Sequence, residues 1–478
     1  MNDYEISVGL EVHAELNTES KIFCGCRNEF GCEPNTNVCP ICMGFPGALP
    51  TLNQKVVDKA VKMGQALNCK INRICRQDRK NYFYPDLPKA YQISQAEFPV
   101  CHDGYIDFLV DDKEKRVRIN RIHIEEDAGK LLHNSDSGNT LIDYNRCGVP
   151  LIEIVTEPDM HSSSEAKAFL ETIKKTLLYL GISDCKMQEG SIRCDVNVSV
   201  SKKESNKLGT RCEMKNVNSF SGAVRGIEYE AKRQIEILKL GGKIEQETRR
   251  WDDVKGISIV MRTKENAQDY RYFPEPDLMS IIIEEEKIEK IKKELPELPH
   301  EKIKRYVNEL GIAYNDAIFI TDSIERADFF DKCVNMDKCQ PKNICKWIVG
   351  DITKTENDTG KSINETPLTA EKLVELISKV EQKIISVSAA QIIFSIIVEN
   401  GGEVDDIINS RGLIQNSDED YLNELVKKVL SENEKSVSDY KRGKTNAFGY
   451  IVGRCMKESG GKANPLKVKE IVLKYLSE

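Results

Sequence analysis

A change in residue pattern near residue 290 divides this chain into two parts that must fold differently. Before it, β-branched stretches separated by loops rich in Gly, Asn, Asp and Pro predict strands, for example at 106–110, 151–155 and 192–200. Fewer stretches, at 164–180 and 226–240, have the apolar spacing of an amphipathic helix. Because strands and helices do not alternate regularly, we predict an α+β fold whose N-terminal domain is rich in antiparallel sheet.

The dividing segment is a charged run over 284–294 that is followed by two prolines. Beyond it the pattern is almost wholly helical, and Ser388-Ala-Ala-Gln391 and Ser417-Asp-Glu-Asp420 are typical of capping boxes that open helices. Gly401-Gly402 interrupts the helical pattern once more. We therefore predict a sheet-rich N-terminal domain, an all-helical domain and a small helical C-terminal domain. Their predicted ranges are 1–294, 295–402 and 403–478.

The composition is that of a globular protein, and we expect it in the cytosol. The N-terminus lacks a basic and apolar leader, and no apolar run approaches the roughly 20 residues that cross a bilayer. Sixteen cysteines without a secretion signal indicate reduced thiols or metal ligands rather than disulfides. A net charge of −8 argues against a chain that coats nucleic acid along its whole length, but it leaves room for a local basic face.

Four cysteines form two close pairs, Cys24-Gly-Cys26 and Cys39-Pro-Ile-Cys42. Each pair can chelate one metal ion, and the short loop between the pairs lets four thiolates form the tetrahedron that zinc prefers. Four thiolates leave no open coordination position, so we expect the zinc to be structural. Cys32 lies between the pairs and is left out of the site. Clustered thiols without metal, or a zinc ribbon that contacts nucleic acid, are the alternatives.

Carboxylates recur inside the predicted strands. Glu11 and His13 are two residues apart, which in a strand puts both side chains on one face. Glu125 and Glu126 lie in a second segment, and Glu153 interrupts an apolar stretch. A buried carboxylate needs a partner, and several acids with an imidazole fit a hard divalent cation that also holds nucleotide phosphates. Each acid taken alone is equally an ordinary salt-bridge partner.

Other polar segments supply candidates for nucleotide and substrate binding. Asp195 and Asn197 share one face of a β-branched stretch and are candidates for the same pocket. Arg binds phosphate through a two-pronged fork, and Lys supplies a point charge. The basic candidates are Lys215, Arg249, Arg250, Arg262 and Lys264. Solvated surface charge is the alternative for each of them.

The run Asp78–Gln95 concentrates aromatic and cationic side chains, among them Lys80, Tyr82 and Lys89. Two prolines three residues apart interrupt regular structure, so we predict an irregular but rigid loop. Aromatic and cationic groups on such a loop suit a polyanion or a phosphorylated ligand. The alternative is a surface connector without a binding role.

This run and six further segments resemble motifs of the B subunits of the tRNA-dependent amidotransferases, which convert mischarged Glu-tRNA or Asp-tRNA into Gln-tRNA or Asn-tRNA. The resemblance extends over essentially the whole chain, and the motifs occur in the family order. It implies that the three predicted domains are a cradle domain, a helical linker domain and a tail domain. The further segments are Gly9-Leu-Glu-Val-His13, His123-Ile-Glu-Glu-Asp-Ala-Gly-Lys130, Val149-Pro-Leu-Ile-Glu153, Glu189-Gly-Ser-Ile-Arg-Cys-Asp195, Lys215-Asn-Val-Asn-Ser-Phe220 and Asp269-Tyr-Arg-Tyr-Phe-Pro-Glu-Pro-Asp277.

The resemblance implies a ligase that uses ATP to phosphorylate the side-chain carboxylate of the mischarged aminoacyl-tRNA and then amidates it with ammonia. The implied magnesium ligands and catalytic residues are Glu11, His13, Glu126 and Glu153. Lys80 is a further catalytic candidate, Tyr82 is a candidate for substrate binding, and Lys80 and Lys89 resemble family residues near the exit of an ammonia channel. The implied partners are a glutaminase A subunit and a small C subunit in a heterotrimer, mischarged tRNA, and a non-discriminating aminoacyl-tRNA synthetase.

Some chemistry is missing from the sequence. Gly360-Lys-Ser362 is similar to the end of a P-loop, but Thr355 stands where the first Gly belongs. Neither the Gly- and Ser-rich nucleophile loop of an amidase nor a convincing Cys–His–acid arrangement is visible, so ammonia must come from a partner.

Two rival functions are a zinc-stabilised tRNA-binding adaptor without catalysis and an amide ligase for a free small acid. Glu153 lies within an apolar stretch, and because an adaptor needs no acid buried in a strand, this position favours the enzyme over the adaptor.

The C-terminal segment has a charge of its own. Residues 436–478 contain nine Lys and Arg against four Asp and Glu. Lys441-Arg-Gly-Lys444 and Gly460-Gly-Lys462 would suit RNA phosphates. We therefore predict that the tail domain binds tRNA, with a solvated helical face as the alternative. An amide ligase for a free small acid would leave this segment without a role.

Overall fold

The computed structural model describes residues 3–110, 113–133, 138–205, 207–263, 269–415, 418–459 and 463–477. The chain divides into two compact units, Met1–His300 and Glu301–Glu478. The three predicted domain ranges stay a prediction. Lys264, Ser417 and Gly460-Gly-Lys462 lie outside the described residues. In the part of the chain that is described, no helix combines the length and the apolar character that a membrane crossing requires.

The first unit is built on a nine-stranded sheet with three small sheets beside it. In chain order the strands are β1 (Tyr4–Glu15), β2 (Lys70–Ile71), β3 (Ile74–Cys75), β4 (Asp78–Asn81), β5 (Tyr91–Ser94), β6 (Cys101–Val110), β7 (Lys113–Glu126), β8 (Lys130–His133), β9 (Thr140–Asp143), β10 (Pro150–Thr156), β11 (Ile192–Lys202), β12 (Cys212–Val217), β13 (Glu247–Asp252), β14 (Ile257–Thr263), β15 (Phe273–Pro274) and β16 (Ile281–Ile282). The large sheet has the order β14-β13-β12-β11-β1-β10-β7-β6-β2, and its strands are antiparallel except for the pair β12 and β13.

Alternation along β1 gives the large sheet one apolar and one polar face. Val8, Leu10, Val12 and Ala14 are 0% exposed and belong to the hydrophobic core of this unit, while the intervening side chains point to the other face. Three helices pack on the apolar face and contribute to the same core. The helices of this unit are α1 (Gln54–Ala66), α2 (Ser163–Tyr179), α3 (Phe220–Lys239) and α4 (Glu285–Lys293).

From residue 299 onward the described chain is helical. The helices are α5 (Pro299–Asn308), α6 (Tyr314–Thr321), α7 (Ile324–Val334), α8 (Pro341–Trp347), α9 (Thr353–Thr359), α10 (Ala370–Glu381), α11 (Val387–Asn400), α12 (Val404–Arg411), α13 (Glu419–Glu432), α14 (Glu434–Lys441), α15 (Asn446–Glu458) and α16 (Pro465–Ser477). A π-helical turn at Ile348–Ile352 and a 3-10 turn at Ile363–Glu365 complete this part. The last four helices share a core of their own. The predicted α+β fold with a helical C-terminal region is confirmed.

Two local predictions are wrong. The run Asp78–Gln95 is not irregular throughout, because its two ends form β4 and β5, which pair with each other. These strands lack apolar alternation because β4 is held by polar contacts as well, such as the pairing of Arg79 with Glu275 at 2.7 Å. Helix α11 is opened by Ser386 rather than Ser388, since the Ser386 hydroxyl accepts a hydrogen bond from the third residue along.

Candidate active site and cysteine cluster

Three neighbouring strands place four ionisable side chains on the polar face of the large sheet. His13 in β1 lies opposite Glu153 in β10, and Glu153 lies in turn opposite His123 in β7. Glu125 is two residues farther along β7, so its side chain points to the same face as that of His123. Strand pairing therefore brings the four residues together, and we call them the histidine–glutamate cluster.

The cluster is tightly packed and largely shielded from water. His13 Nε2 lies 3.2 Å from Glu153 Oε2 and 3.5 Å from Glu125 Oε1. His123 Nε2 lies 3.2 Å from the same Glu153 oxygen. The side chains of Glu125 and Glu153 are only 3% and 10% exposed. Because water cannot solvate these carboxylates, they depend on the imidazoles, on nearby Lys80 or on a bound cation for their counter-charge.

The pKa values of the cluster are shifted in opposite directions. Burial alone would raise the pKa of Glu153, but the two imidazoles hold that pKa well below its usual value. Burial alone would lower the pKa of His123, but the negative charge of Glu153 raises it to about 9. Without metal, protons on the imidazoles thus balance the carboxylates. A divalent cation bound to the same groups would displace those protons.

A second acidic group adjoins the first along β1. Glu11, Asp195 and Glu213 each place a carboxylate oxygen within 4.8 Å of the other two. Lys215 Nζ donates to Asp195 Oδ2 at 2.7 Å and lies 2.9 Å from Glu213 Oε1. Asn197 Nδ2 donates to Glu11 Oε1 at 2.9 Å, and burial raises the pKa of Glu11. Sequence analysis missed Glu213, although its position two residues before Lys215 could have indicated the shared face.

Lys80 lies beside the histidine–glutamate cluster on the small sheet formed by β15, β4 and β5. Its Nζ lies 5.1 Å from the ring centroid of Tyr270 and 5.9 Å from that of Tyr82. Burial alone would lower the pKa of Lys80, but the neighbouring acidic groups, Glu125 foremost, together outweigh burial and raise that pKa. A cation held between aromatic rings next to acidic groups is suited to an anionic ligand.

Glu126 does not lie in the histidine–glutamate cluster. Adjacent residues of a strand point to opposite faces, and Glu126 forms an ion pair with Lys89. Its carboxylate also accepts a hydrogen bond from the Ile93 backbone at 2.9 Å, and the three residues line a small cavity. Glu125, rather than Glu126, therefore meets His13. The roles predicted for Glu126 and Lys89 stay predictions.

The predicted arginines are distributed over both faces of the sheet. Arg249 is buried on the face covered by helices, where its Nε lies 3.6 Å from Glu230 of α3. Arg250 is exposed and lies opposite Lys215 across the β12–β13 pair. Arg262 belongs to β14, and its side chain is outside the described part of the chain. Among the described side chains, Arg250 is thus the predicted arginine on the polar face.

The four predicted zinc ligands lie together, with the sulfur atoms of Cys24, Cys26, Cys39 and Cys42 all within 4.8 Å of one another. Cys39 and Cys42 place their sulfurs 3.7 Å apart. Four Zn–S bonds of about 2.3 Å in a tetrahedron require sulfur atoms about 3.8 Å apart, so the arrangement fits zinc. Cys32 does not belong to the group. We call the four residues the cysteine cluster.

Known protein families match both units of the chain. Residues 6–289, which carry the histidine–glutamate cluster and the cysteine cluster, match the GatB/GatE catalytic domain. The chain belongs to the GatB/GatE family. Residues 328–476 match a second domain of this family, described as the GatB domain. The two matches together cover most of the sequence.

Three relatives illustrate how far the similarity extends along the chain. Each carries the name of the B subunit of an aspartyl/glutamyl-tRNA(Asn/Gln) amidotransferase. The protein from Thermoanaerobacter sp. (strain X514) is 54% identical over 475 residues, which are 99% of this chain and 100% of the relative. The protein from Caldicellulosiruptor bescii is 53% identical over 479 residues and covers 100% of both chains. The protein from Clostridium novyi (strain NT) is 50% identical over 99% of this chain and 100% of its own length. The predicted resemblance is confirmed.

Proposed function

We propose that this chain is the carboxylate-activating subunit of a tRNA-dependent amidotransferase, a carbon–nitrogen ligase of the cytoplasm. It would use ATP to phosphorylate the side-chain carboxylate of Glu on tRNA(Gln), of Asp on tRNA(Asn), or of both. A carboxylate oxygen is a poor leaving group, and phosphorylation lets ammonia displace it as phosphate. The observation that carries this proposal is the histidine–glutamate cluster, which gathers buried carboxylates on one face of a sheet beside Lys80.

The proposed magnesium ligands lie along one face of three strands. Glu125 takes the position predicted for Glu126, since its oxygen lies within 4.8 Å of the ligand atoms of His13 and Glu153. Carboxylate oxygens are the ligands that magnesium prefers. The proposed set is Glu11, His13, Glu125 and Glu153. Bound magnesium would supply positive charge that screens the phosphate oxygens during transfer.

Cations of the chain would orient the phosphates. Lys80 lies near the cluster between Tyr82 and Tyr270, where an incoming phosphate could approach its amine. Lys215 is paired with acidic neighbours, so phosphate binding would draw its amine away from them. The exposed Arg250 lies opposite Lys215 and could grip a phosphate through its guanidinium fork. Asn197 would position Glu11 through its hydrogen bond.

Ammonia would come from a glutaminase A subunit that assembles with this chain and a small C subunit. The sequence lacks a recognisable amidase nucleophile, so the isolated chain should release no ammonia from glutamine. Lys89 and Glu126 form an ion pair beside a small cavity, and a charged pair at the end of a channel could steer ammonia and exclude bulk water. A non-discriminating aminoacyl-tRNA synthetase would supply the mischarged tRNA.

The tail helices would hold the tRNA. A cavity of about 620 Å³ between α13, α14 and α16 is lined by Lys427, Lys441, Arg442 and Tyr475, among others. Lys427 Nζ lies 5.7 Å from the Tyr475 ring centroid. Cations for phosphate beside an aromatic ring for a base are a combination that binds single-stranded RNA.

The cysteine cluster would hold one structural zinc ion. Its four thiolates would complete the coordination shell and leave no position for substrate, so the metal would stabilise the fold rather than take part in the reaction. Elemental analysis of the reduced, purified protein should find one zinc per chain.

The decisive experiment separates activation from glutamine hydrolysis. The reconstituted complex, with its glutaminase inactivated and ammonium chloride supplied, is tested with mischarged and with correctly charged tRNA. We expect ADP formation and amide product only with the mischarged tRNA. No ATP cleavage at all would favour the adaptor function, and ATP cleavage that ignores the mischarged tRNA would contradict the proposed substrate.

A further inference from the structure

Lys21 is a fully buried cation next to the cysteine cluster. Its side chain is 0% exposed, and its Nζ donates to the Asn37 carbonyl at 2.8 Å and lies 4.0 Å from Cys42 Sγ. Within the described residues, no carboxylate lies within 4.0 Å of this amine. Transfer of an ammonium group out of water is heavily penalised unless an opposite charge is close. The neighbouring carbonyl supplies a dipole but no charge, so the counter-charge must come from elsewhere.

The cysteine cluster can supply that charge. Four thiolates around a zinc ion carry a formal charge of −2. Cys42 is only 4% exposed, whereas its three partners are more accessible. Its sulfur accepts from two donors, the Cys39 backbone N–H at 3.0 Å and the Lys21 ammonium. The most buried cysteine of the cluster is thus the one that faces the buried cation.

The chain around Lys21 is tied to the cluster on both sides. The Lys21 backbone N–H donates to the Cys26 carbonyl at 2.9 Å, and the Asn37 carbonyl that accepts from Nζ lies two residues before Cys39. The Lys21 main chain therefore contacts the first ligand pair while its side chain reaches the second. A residue in this position can hold both pairs in register as well as balance their charge.

We propose that Lys21 is the charge-compensating positioning residue of the zinc centre. It neutralises part of the negative charge of the four thiolates and thereby sets how tightly the metal is held. The inference rests on the zinc site proposed above, but it concerns a residue that is not a ligand. A purely structural lysine, present only to bind the Asn37 carbonyl, would leave zinc affinity unchanged when it is replaced.

The first test measures zinc affinity of the full-length chain by competition with a chromophoric chelator at constant pH. Lys21→Met removes the charge and the hydrogen bond but keeps the length of the side chain, and Lys21→Gln keeps an amide donor but removes the charge. We expect both variants to bind zinc about 10 to 100 times more weakly, as is usual when a supporting contact of a metal site is lost. Lys55→Met, at an exposed position of α1, is the matched control and should bind zinc like the wild type.

Two results would be informative in different ways. Wild-type zinc affinity in the Lys21→Met and Lys21→Gln variants would overturn the role of Lys21 and leave the zinc site intact. Absence of zinc from the wild-type protein would overturn the zinc site itself.

A double-variant cycle keeps the proposal testable if Lys21→Met folds too weakly for zinc affinity to be compared. In a Cys39→Ser, Cys42→Ser background the thiolate beside the amine and its pair partner are gone, and the buried cation has lost its counter-charge. We expect Lys21→Met to lower the urea midpoint of the wild type but to leave it unchanged, or raise it, in that background. An equal loss in both backgrounds, or a failure of the triple variant to fold where the double variant folds, would contradict the proposal.

Discussion

The two faces of the large sheet both carry buried charges, but they balance them in different ways. On the helix-covered face, Glu230 is 1% exposed and accepts from Arg233 Nη2 at 2.6 Å and from Gln234 Nε2 at 2.9 Å, with Arg249 close by. Although burial alone would raise it, these partners hold the pKa of Glu230 below its usual value. Glu230, Arg233 and Arg249 thus have permanent partners of opposite sign. The network is therefore complete without a ligand.

On the polar face the balance depends on protons. Glu153 is neutralised chiefly by His13 and His123, and Glu125 by His123 together with Lys80. The two imidazoles carry positive charge only when protonated. A divalent cation can replace those protons, whereas nothing can replace the guanidinium groups of the covered face without loss of stability. The comparison indicates which buried charges serve binding and which serve folding. A site built from exchangeable counter-charges is open to a ligand.

The largest expected effect is on the polar face. Glu153→Gln keeps the size of the side chain but removes a negative charge from the proposed magnesium shell, so tRNA-dependent ATP cleavage should fall by about 10³-fold. The assay uses the reconstituted complex at limiting magnesium with ammonium as the nitrogen donor. Wild-type rates would remove Glu153 from the site and direct attention to Asp195 and Glu213.

The matched change on the covered face should affect stability instead of rate. Glu230→Gln removes one buried counter-charge of Arg233 and Arg249 and leaves them Glu247, so the loss should lie near the lower end of the about 3 to 5 kcal/mol that a broken buried ion pair costs. Urea denaturation measures this loss. Under conditions in which Glu230→Gln remains folded, this variant should cleave ATP at the wild-type rate. A folded Glu230→Gln protein that had lost activity would show that the two faces are not functionally separate.

Much of this arrangement follows from two-residue periodicity. Glu11 and His13 share a face because β1 alternates strictly, and the close cysteine pairs meet because each is local in sequence. These features depend on neighbours along the chain, which a single sequence records. The sheet-rich first part and the helical second part were predictable for the same reason.

What the sequence could not decide depends on pairing between distant strands. Glu125 and Glu126 are 3% and 4% exposed, so no contrast in polarity tells which of them faces the site. The choice follows from the register of β7 against β10, together with the contacts that β5 makes with the end of β7. The sequence likewise could not decide which of Arg249 and Arg250 faces the site. Helix α3 covers Arg249 and leaves Arg250 exposed on the other face.

A smaller effect concerns pH. The pKa of His123 is about 9 in the folded protein, above the ordinary value of 6.5, because the charges and hydrogen bonds of Glu153 and Glu125 together outweigh burial. Its contribution to stability is therefore fully present below about pH 6.5 and is lost as pH rises through 9. In the metal-free protein this loss should reach at most about 3 kcal/mol. Urea midpoints between pH 6 and 9.5 measure it, and His123→Gln should flatten the profile. An unchanged slope in that variant would assign the titration to another group.

The smallest expected effect distinguishes two adjacent residues. Glu125→Gln should weaken magnesium binding about tenfold, or about 1.4 kcal/mol, because Glu125 contributes one of several carboxylates to the proposed shell. Glu126→Gln removes the same charge one residue away, but its carboxylate pairs with Lys89 on the other side of β7, so magnesium affinity should not change.

Isothermal titration calorimetry of each full-length variant with magnesium measures the difference in affinity. The paired design controls for the loss of a negative charge as such, since both variants lose one within the same strand. Weaker magnesium binding in Glu126→Gln but not in Glu125→Gln would mean that the end of β7 rotates when the metal binds, so that Glu126 faces the site. Equal losses in both would mean that magnesium responds to the overall charge of this region rather than to one face of the sheet.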